Sequence, residues 1–125
     1  MKVKFYKCAT CGNVIVKTVD SGVPVFCCGQ AMEELKAGAV DAAVEKHVPS
    51  VTVDGDKISV VVGDTVHPMM DEHYIQFIYL ETENGGQYVK LTPSDEPKAE
   101  FAVGADKPVA VYEFCNLHGL WVKEL

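Results

Sequence analysis

Four of the five cysteines lie within the first 28 residues, at a spacing suited to one metal ion. Cys8 and Cys11 form a Cys-x2-Cys turn, which can aim two thiolates at a single ion. Cys27 and Cys28 are immediate neighbours, an unusual arrangement because successive strand residues point to opposite faces. Both can bind one ion only where the backbone bends sharply, and Gly29 lies where such a bend is needed. These four cysteines form the first candidate ligand set.

Two other interpretations of these cysteines are a structural zinc ribbon and a pair of disulfides. Disulfides persist mainly in oxidising compartments, and the first residues lack the apolar run and cleavage site of an export signal. Reduced thiols acting as ligands are therefore favoured. The spacing favours zinc over iron, whereas the adjacent pair should strain a regular tetrahedron. The identity of the metal stays open at this set.

The remaining cysteine and all four histidines form a second candidate ligand set. Its members are His47, His67, His73, Cys115 and His118. Five donors exceed the four of a structural zinc site, and they suggest iron with four nitrogens around it, an axial thiolate and one open position. An axial thiolate donates charge toward the opposite position, as in thiolate-ligated haems, which suits a centre that handles a reduced oxygen species.

The local sequence around these donors supports a common site. Proline directly follows His67 and lies two residues after His47, so that both imidazoles belong to conformationally restricted loops. Cys115 and His118 share one turn, in which the two intervening residues let both side chains reach one ion. A single histidine is more often an ordinary hydrogen-bonded or surface residue, and a lone cysteine is more often buried and inert. Their combination is what favours ligation.

Glu45 and Lys46 immediately precede His47 and are predicted to act in catalysis. Lysine is a mobile point charge that can attract a small anion toward the metal and help to deliver protons. Glutamate can occupy a vacant iron position once the metal is oxidised. The alternative is a solvated charge pair at the end of a linker. Tyr74 and Trp121 are expected to contribute packing near the ligands.

Composition limits the classes of partner. The formal charge is −7, with eleven lysines and no arginine, which argues against nucleic-acid binding because that usually needs a basic face. No apolar stretch approaches the roughly 20 residues of a membrane span. The sequence predicts a protein without a membrane segment, located in the cytoplasm.

The pattern of short strands predicts an all-β protein with two domains. Residues 1–36 contain three short β-like runs, over residues 3–6, 14–19 and 23–26. They should form a small module that depends on metal binding, because so short a segment buries little apolar surface.

Residues 37–125 begin with an Ala- and Gly-rich linker, in which a short helix over residues 41–45 stays open. Seven short strands follow, including a run over residues 57–62, with turn signals at Asp54-Gly55 and at Glu83-Asn84-Gly85-Gly86. They predict an immunoglobulin-like antiparallel β-sandwich.

Four motifs together resemble desulfoferrodoxin, the two-iron superoxide reductase family. They are Cys-x2-Cys followed by Cys-Cys, Glu-Lys-His-Val-Pro, His-Pro-Met-x3-His and Cys-Asn-x-His-Gly-x-Trp. The resemblance covers essentially the whole chain. It implies a desulforedoxin-like Fe(Cys)4 domain over residues 1–36 and a neelaredoxin-like catalytic domain over residues 37–125. Tyr74 is a small departure, because many members carry tryptophan after the third histidine.

The resemblance also implies an activity and partners. It implies two iron ions, the second with four equatorial histidines and an axial Cys115, and reduction of superoxide to hydrogen peroxide without oxygen release. A rubredoxin-type electron donor and a homodimer are further implications. The first iron is expected to be an accessory for electron transfer, because one-iron relatives work without it.

Two competing functions belong to other classes. An electron-transfer or redox-sensing protein without turnover would have a second iron saturated by protein ligands and indifferent to azide or cyanide. A structural adaptor with two zinc ions would be colourless and free of iron. Metal analysis and visible and paramagnetic-resonance spectra distinguish these possibilities.

Overall fold

The structure is a computed structural model that describes residues 3–39, 44–63 and 68–125. The chain divides into two compact units, Met1–Lys36 and Ala37–Leu125. No helix among the described residues has the length and apolar character that a membrane span requires.

The first unit consists of very short strands. They are β1 (Phe5–Lys7), β2 (Val14–Val16), β3 (Phe26–Cys27), β4 (Gln30–Ala31) and β5 (Glu33–Glu34). One antiparallel sheet has the order β2-β1-β5, and β3 pairs with β4 in a separate hairpin. Phe5 and Met32 are its buried apolar side chains apart from cysteine. So small a core supports the expectation that ligand binding stabilises this unit.

One predicted strand of this unit is displaced along the chain. The run over residues 23–26 was expected to form a strand, but β3 contains only Phe26 and Cys27. Pro24 lacks the N–H that a paired strand residue donates, so the preceding segment does not join a ladder. A single backbone bond, from the N–H of Met32 to the carbonyl of Val25, continues the hairpin in that direction.

The described residues of the second unit form one helical turn and seven strands. These elements are α1 (Val44–His47), β6 (Pro49–Asp54), β7 (Lys57–Val62), β8 (Ile75–Thr82), β9 (Gly85–Lys90), β10 (Lys98–Ala102), β11 (Pro108–Cys115) and β12 (Gly119–Glu124). The sheets have the orders β10-β7-β6 and β12-β11-β8-β9, and every pairing is antiparallel. The predicted all-β fold with a seven-stranded sandwich is confirmed.

The core lies between these two sheets. Ile58, Val60 and Val62 alternate along β7 with exposed or half-buried residues, so that their side chains share one face. They belong to one buried cluster with Leu80 of β8 and Val111 of β11, all at most 1% exposed. The two sheets therefore form a rigid base for the residues at their ends.

Two tight turns join neighbouring strands. Asp54 pairs with Lys57 across a two-residue turn, and Gly55 there has a φ of 61°, which favours glycine. Thr82 pairs with Gly85 across the next two-residue turn. Both hairpins lie where the turn residues of the sequence predicted them.

Candidate metal centres

The structure brings the four N-terminal cysteines together. Cys8, Cys11, Cys27 and Cys28 each offer a sulfur, and these sulfurs all lie within 4.8 Å of one another. The sulfur of Cys27 lies 3.6 Å from that of Cys11 and 4.0 Å from that of Cys28. Four sulfurs at about 2.3 Å from one ion would be separated by about 3.8 Å in a tetrahedron. The cluster therefore fits a tetrahedral thiolate site.

The adjacent cysteines reach one point through a sharp backbone bend. Cys28 has a φ of 53°, and among the described residues it is the one non-glycine residue with a positive φ. Gly29 follows with a φ of 76°. These two left-handed residues rotate the sulfur of Cys28 out of the alternation of a strand. The bend at Gly29 lies where the sequence predicted it.

Donors of N–H groups surround the first cluster. The backbone N–H of Cys11 donates to the sulfur of Cys8 at 3.4 Å, and the side-chain amide of Asn13 donates to the sulfur of Cys27 at 3.6 Å. Chiefly because of the Cys11 N–H, the pKa of Cys8 is lowered to about 6. Contact with the Cys11 thiol, the largest of several causes, raises the pKa of Cys28 to about 12. A bound cation would release the protons that the crowded thiols otherwise retain.

The second cluster brings together four of the five donors of the second set. They are His47, His73, Cys115 and His118, whose donor atoms all lie within 4.8 Å of one another. The Nδ1 atom of His118 lies 3.0 Å from Nε2 of His47 and 3.9 Å from the sulfur of Cys115. The fifth predicted ligand, His67, lies outside the described residues.

Separate elements position these four donors. His47 ends the helical turn α1 and is 2% exposed. Cys115 ends β11 and is completely buried, whereas His118 lies in the turn before β12. His73 precedes β8 and forms a backbone bridge with Met70, in which each N–H donates to the other residue's carbonyl.

A β-bulge turns His73 toward the other donors. The ladder between β11 and β8 pairs Phe114 with Phe77 but Cys115 with Ile75, which leaves Gln76 as an extra residue. Without the extra residue Gln76, residues 73, 75 and 77 would share one face of the sheet. Because of the extra residue, Ile75 lies in the buried cluster that also contains Cys115, and His73 lies on the same side as Ile75.

Trp121 contacts two of the donor residues. Its indole stacks on the imidazole of His47, and its Nε1–H donates to the carbonyl of His118 at 3.0 Å. The residue is 6% exposed. The sequence predicted packing for Trp121, and the structure adds a directional hydrogen bond. Its place in the Cys-Asn-x-His-Gly-x-Trp motif was the signal available for that role.

The donor set fits a single metal ion. Two donors that share an ion at about 2.1–2.3 Å each lie at most about 4.6 Å apart. The observed limit of 4.8 Å therefore needs only a small adjustment. Burial first, then the charge of His118, lowers the pKa of His73, which favours the neutral imidazole that a metal binds. Burial raises the pKa of Cys115, whereas hydrogen bonds from the N–H groups of Leu117 and His118 oppose this.

The predicted catalytic pair is described only in part. Lys46 is exposed, and its positive charge is one of the smaller causes that lower the pKa of His73. The positive charge of Lys46 therefore opposes protonation of His73. Glu45 belongs to α1, but its side chain lies outside the part of the chain that the structure describes.

Glu113 is a buried carboxyl group that the sequence did not single out. It is completely buried on β11, two residues before Cys115, and neither carboxyl oxygen has a hydrogen-bond partner among the described residues. Burial raises its pKa well above the usual range. Burial therefore favours the neutral form of this carboxyl group, which lies on the same strand as Cys115.

The sequence profile of desulfoferrodoxin matches residues 39–124. The chain belongs to the desulfoferrodoxin family. The desulfoferrodoxin of Nitratidesulfovibrio vulgaris is 43% identical over 122 residues, which cover 97% of this chain and 95% of that protein. A protein of Pyrococcus horikoshii named superoxide reductase is 37% identical and covers 74% of this chain and 95% of its own length.

A solved structure is similar over the whole chain. The crystal structure of the superoxide reductase from Treponema pallidum has a TM-score of 0.83 and 35% identity, and the match covers 99% of this chain and 100% of that one. The shorter Pyrococcus protein matches only part of the chain, as the family profile does. The two donor clusters match the two-iron architecture of desulfoferrodoxin.

Proposed function

We propose that this chain is an iron superoxide reductase, which adds one electron and two protons to superoxide and releases hydrogen peroxide without forming oxygen. One observation carries the proposal: three imidazoles and one buried thiolate converge within 4.8 Å in a member of the desulfoferrodoxin family. Its relatives from Treponema pallidum and Pyrococcus horikoshii are named superoxide reductases.

The second cluster would hold the catalytic iron. Its proposed ligands are His47, His67, His73, Cys115 and His118. Bound there, iron supplies a one-electron couple and an exchangeable position for a small anion. The negative charge of the buried Cys115 would stabilise the more positive oxidation state of an iron bound there and would so favour electron donation.

Lys46 is proposed to bring the anionic substrate to this centre. The chain carries a formal charge of −7, which repels superoxide at long range. An exposed ammonium whose charge acts on His73 provides a local attraction at the site. The same group can order the water that supplies protons to the product.

Glu45 is proposed as a carboxylate ligand for the oxidised centre. Its backbone lies in α1, two residues before His47, so that a small change of the helical turn would move its carboxylate relative to the cluster. Departure of the carboxylate on reduction would free the position for the next substrate.

The first cluster is proposed to be an accessory Fe(Cys)4 centre for electron transfer. Cys11 and Cys28 are exposed, so a partner protein can approach their sulfurs closely. A small rubredoxin-type protein is the proposed donor. The unit Met1–Lys36 is then the desulforedoxin-like domain and Ala37–Leu125 the neelaredoxin-like catalytic domain.

We also propose a homodimer located in the cytoplasm. Val19, Val23 and Phe26 of the first unit are 86%, 65% and 68% exposed, and such an apolar surface favours association. None of the five cysteines is paired in a disulfide, which is typical of a reducing compartment. Sedimentation of the iron-loaded protein should give a dimer, and Phe26→Ser with Val19→Ser should shift it toward the monomer.

Azide provides the experiment that separates reduction of superoxide from electron transfer alone. Added azide should change the visible and paramagnetic-resonance signals of the second iron and leave those of the first unchanged. A second iron indifferent to azide would support the electron-transfer or sensing function and contradict the proposed enzyme.

Dependence on a reductant separates the proposed activity from dismutation. With a steady source of superoxide, the iron-loaded protein should remove it only while an electron donor is supplied. Removal that continues at the same rate after the donor is exhausted would indicate a dismutase. A matched Cys115→Ser protein, which lacks the proposed thiolate ligand, serves as the control.

A further inference from the structure

Asn116 joins the two chain segments that carry ligands of the second cluster. It lies between Cys115 and His118 in the turn after β11. Its side-chain Oδ1 accepts the N–H of Tyr74 at 2.9 Å, and its Nδ2 donates to the carbonyl of Glu72 at 3.1 Å. The two partners flank His73 on either side along the chain.

The side chain continues a ladder that the backbone cannot complete. Backbone pairing of β11 with β8 ends at Cys115 and Ile75. The backbone N–H of Asn116 donates to the carbonyl of Tyr74 at 3.2 Å, while the return bond from the N–H of Tyr74 reaches the side-chain Oδ1. The amide oxygen thus takes the place of a backbone carbonyl in an antiparallel pair.

The contact with Glu72 extends this pairing past His73. Nδ2 is the one end of the amide that can donate, and it meets a carbonyl on the far side of His73. The amide oxygen therefore faces a donor, and the amide nitrogen faces an acceptor. One short side chain holds the backbone before and after this imidazole against the turn that carries Cys115 and His118.

We propose that Asn116 is a positioning residue for the catalytic iron, acting by fixing the backbone on both sides of His73. This inference rests on the proposed function, because that function makes the second iron the catalytic one. Its test is the iron affinity of the second centre, which does not depend on activity. His73 also forms a short backbone bridge with Met70. Residues that orient metal ligands in this way typically contribute about 10–100-fold to metal affinity.

Asn116→Ala tests the inference by removing both side-chain bonds. The iron affinity of the second centre, measured by competition with a chelator, should fall by about 10–100-fold. The thiolate-to-iron absorption and the paramagnetic-resonance signal of that centre should change, because one imidazole is held less well. Affinity at the first centre should stay constant, which provides an internal control in the same molecule.

Asn116→Asp keeps the acceptor for Tyr74 and loses the donor to Glu72, and it decides the matter if the alanine variant does not fold. Its added negative charge should by itself strengthen cation binding. A fall in iron affinity at the second centre would therefore support the loss of the Glu72 bond as the cause.

A matched control and one contrary result complete the test. Asn84→Ala removes the hydrogen bond from another asparagine side chain to Asp106, in the β8–β9 turn, and should leave both centres unchanged. Unaltered affinity and spectra of the second centre in both Asn116 variants would overturn the inference. If the wild type binds two irons but does not reduce superoxide, the proposed function fails while the positioning role is still decided by affinity.

Discussion

The indole of Trp121 and the imidazole of His47 are stacked, with ring centroids 5.1 Å apart and planes inclined by 26°. The same indole donates its N–H to the backbone carbonyl of His118, 3.0 Å away. One buried side chain thus contacts two proposed ligands that come from widely separated parts of the chain. The second cluster is supported by the packed core of the sandwich as well as by its own loops.

Replacement of Trp121 should separate the contribution of the ring stack from that of the hydrogen bond. Trp121→Phe keeps an aromatic ring for the stack and loses the N–H, and we expect the free energy of unfolding to fall by about 1 kcal/mol. Trp121→Ala also leaves a cavity and should cost about 3–5 kcal/mol. Urea unfolding of the iron-loaded protein, followed by circular dichroism, measures both. Equal losses in the two variants would show that the stack contributes little.

Lys46→Ala should slow the encounter with superoxide. Removing a local positive charge from a site on an acidic protein should lower the second-order rate constant by about tenfold and weaken its dependence on salt. Lys46→Arg should retain most of the rate. Lys57→Ala, which removes an exposed lysine of β7, is the matched control. A rate unchanged in Lys46→Ala would remove this residue from the mechanism.

The two centres should lose their metal independently. Cys28→Ser should abolish the spectrum of the first iron and reduce the thermal stability of the first unit, because that unit buries few apolar side chains. The azide response of the second iron should persist. Cys115→Ser should give the reverse pattern. Loss of both spectra in Cys28→Ser would contradict independent sites.

Asp106 predicts a pH dependence of stability that is separate from the metal. A hydrogen bond from the Thr82 side chain is the largest cause that lowers its pKa, and Asn84 donates to the same carboxylate at 3.0 Å. The folded state therefore binds fewer protons than the unfolded state near this pKa. The stabilisation that the Asp106 carboxylate gives the folded state is complete above the pKa of the unfolded state, about 3.9. It is lost as the pH falls through the lower pKa of the folded state.

Asp106→Asn tests this dependence. The variant should unfold at a lower urea concentration than the wild type at neutral pH, and the difference should disappear in acid. Release of metal at low pH affects both proteins and cancels in the comparison. A difference that stays constant with pH would mean that the carboxylate charge does not contribute.

Much of the fold was predictable because its determinants are local. The turn residues around Gly55 and Asn84 marked two hairpins, and the predicted strand over residues 57–62 has the observed ends of β7. The cysteine cluster could also be expected, because the spacing between Cys8 and Cys11 limits the loop that joins them. The strand ends of the first unit were less predictable, since short strands depend on few contacts.

The supports of the second cluster could not be predicted from the sequence. The bulge at Gln76 depends on how two distant strands pair, and no local pattern marks it. The bonds of Asn116 join residues that lie 42 and 44 positions apart in the chain. The sequence identified donors by residue type, whereas the contacts that orient them arise only from the packed sheets.

The products of a single turnover distinguish reduction of superoxide from its dismutation. Fully reduced, iron-loaded protein should be mixed rapidly with less than one equivalent of superoxide, and hydrogen peroxide and oxygen should both be quantified. We expect one hydrogen peroxide for each superoxide, together with oxidation of the second iron and no oxygen. Oxygen formed at half the amount of superoxide consumed would indicate dismutation, and superoxide reductase activity would then be the wrong assignment.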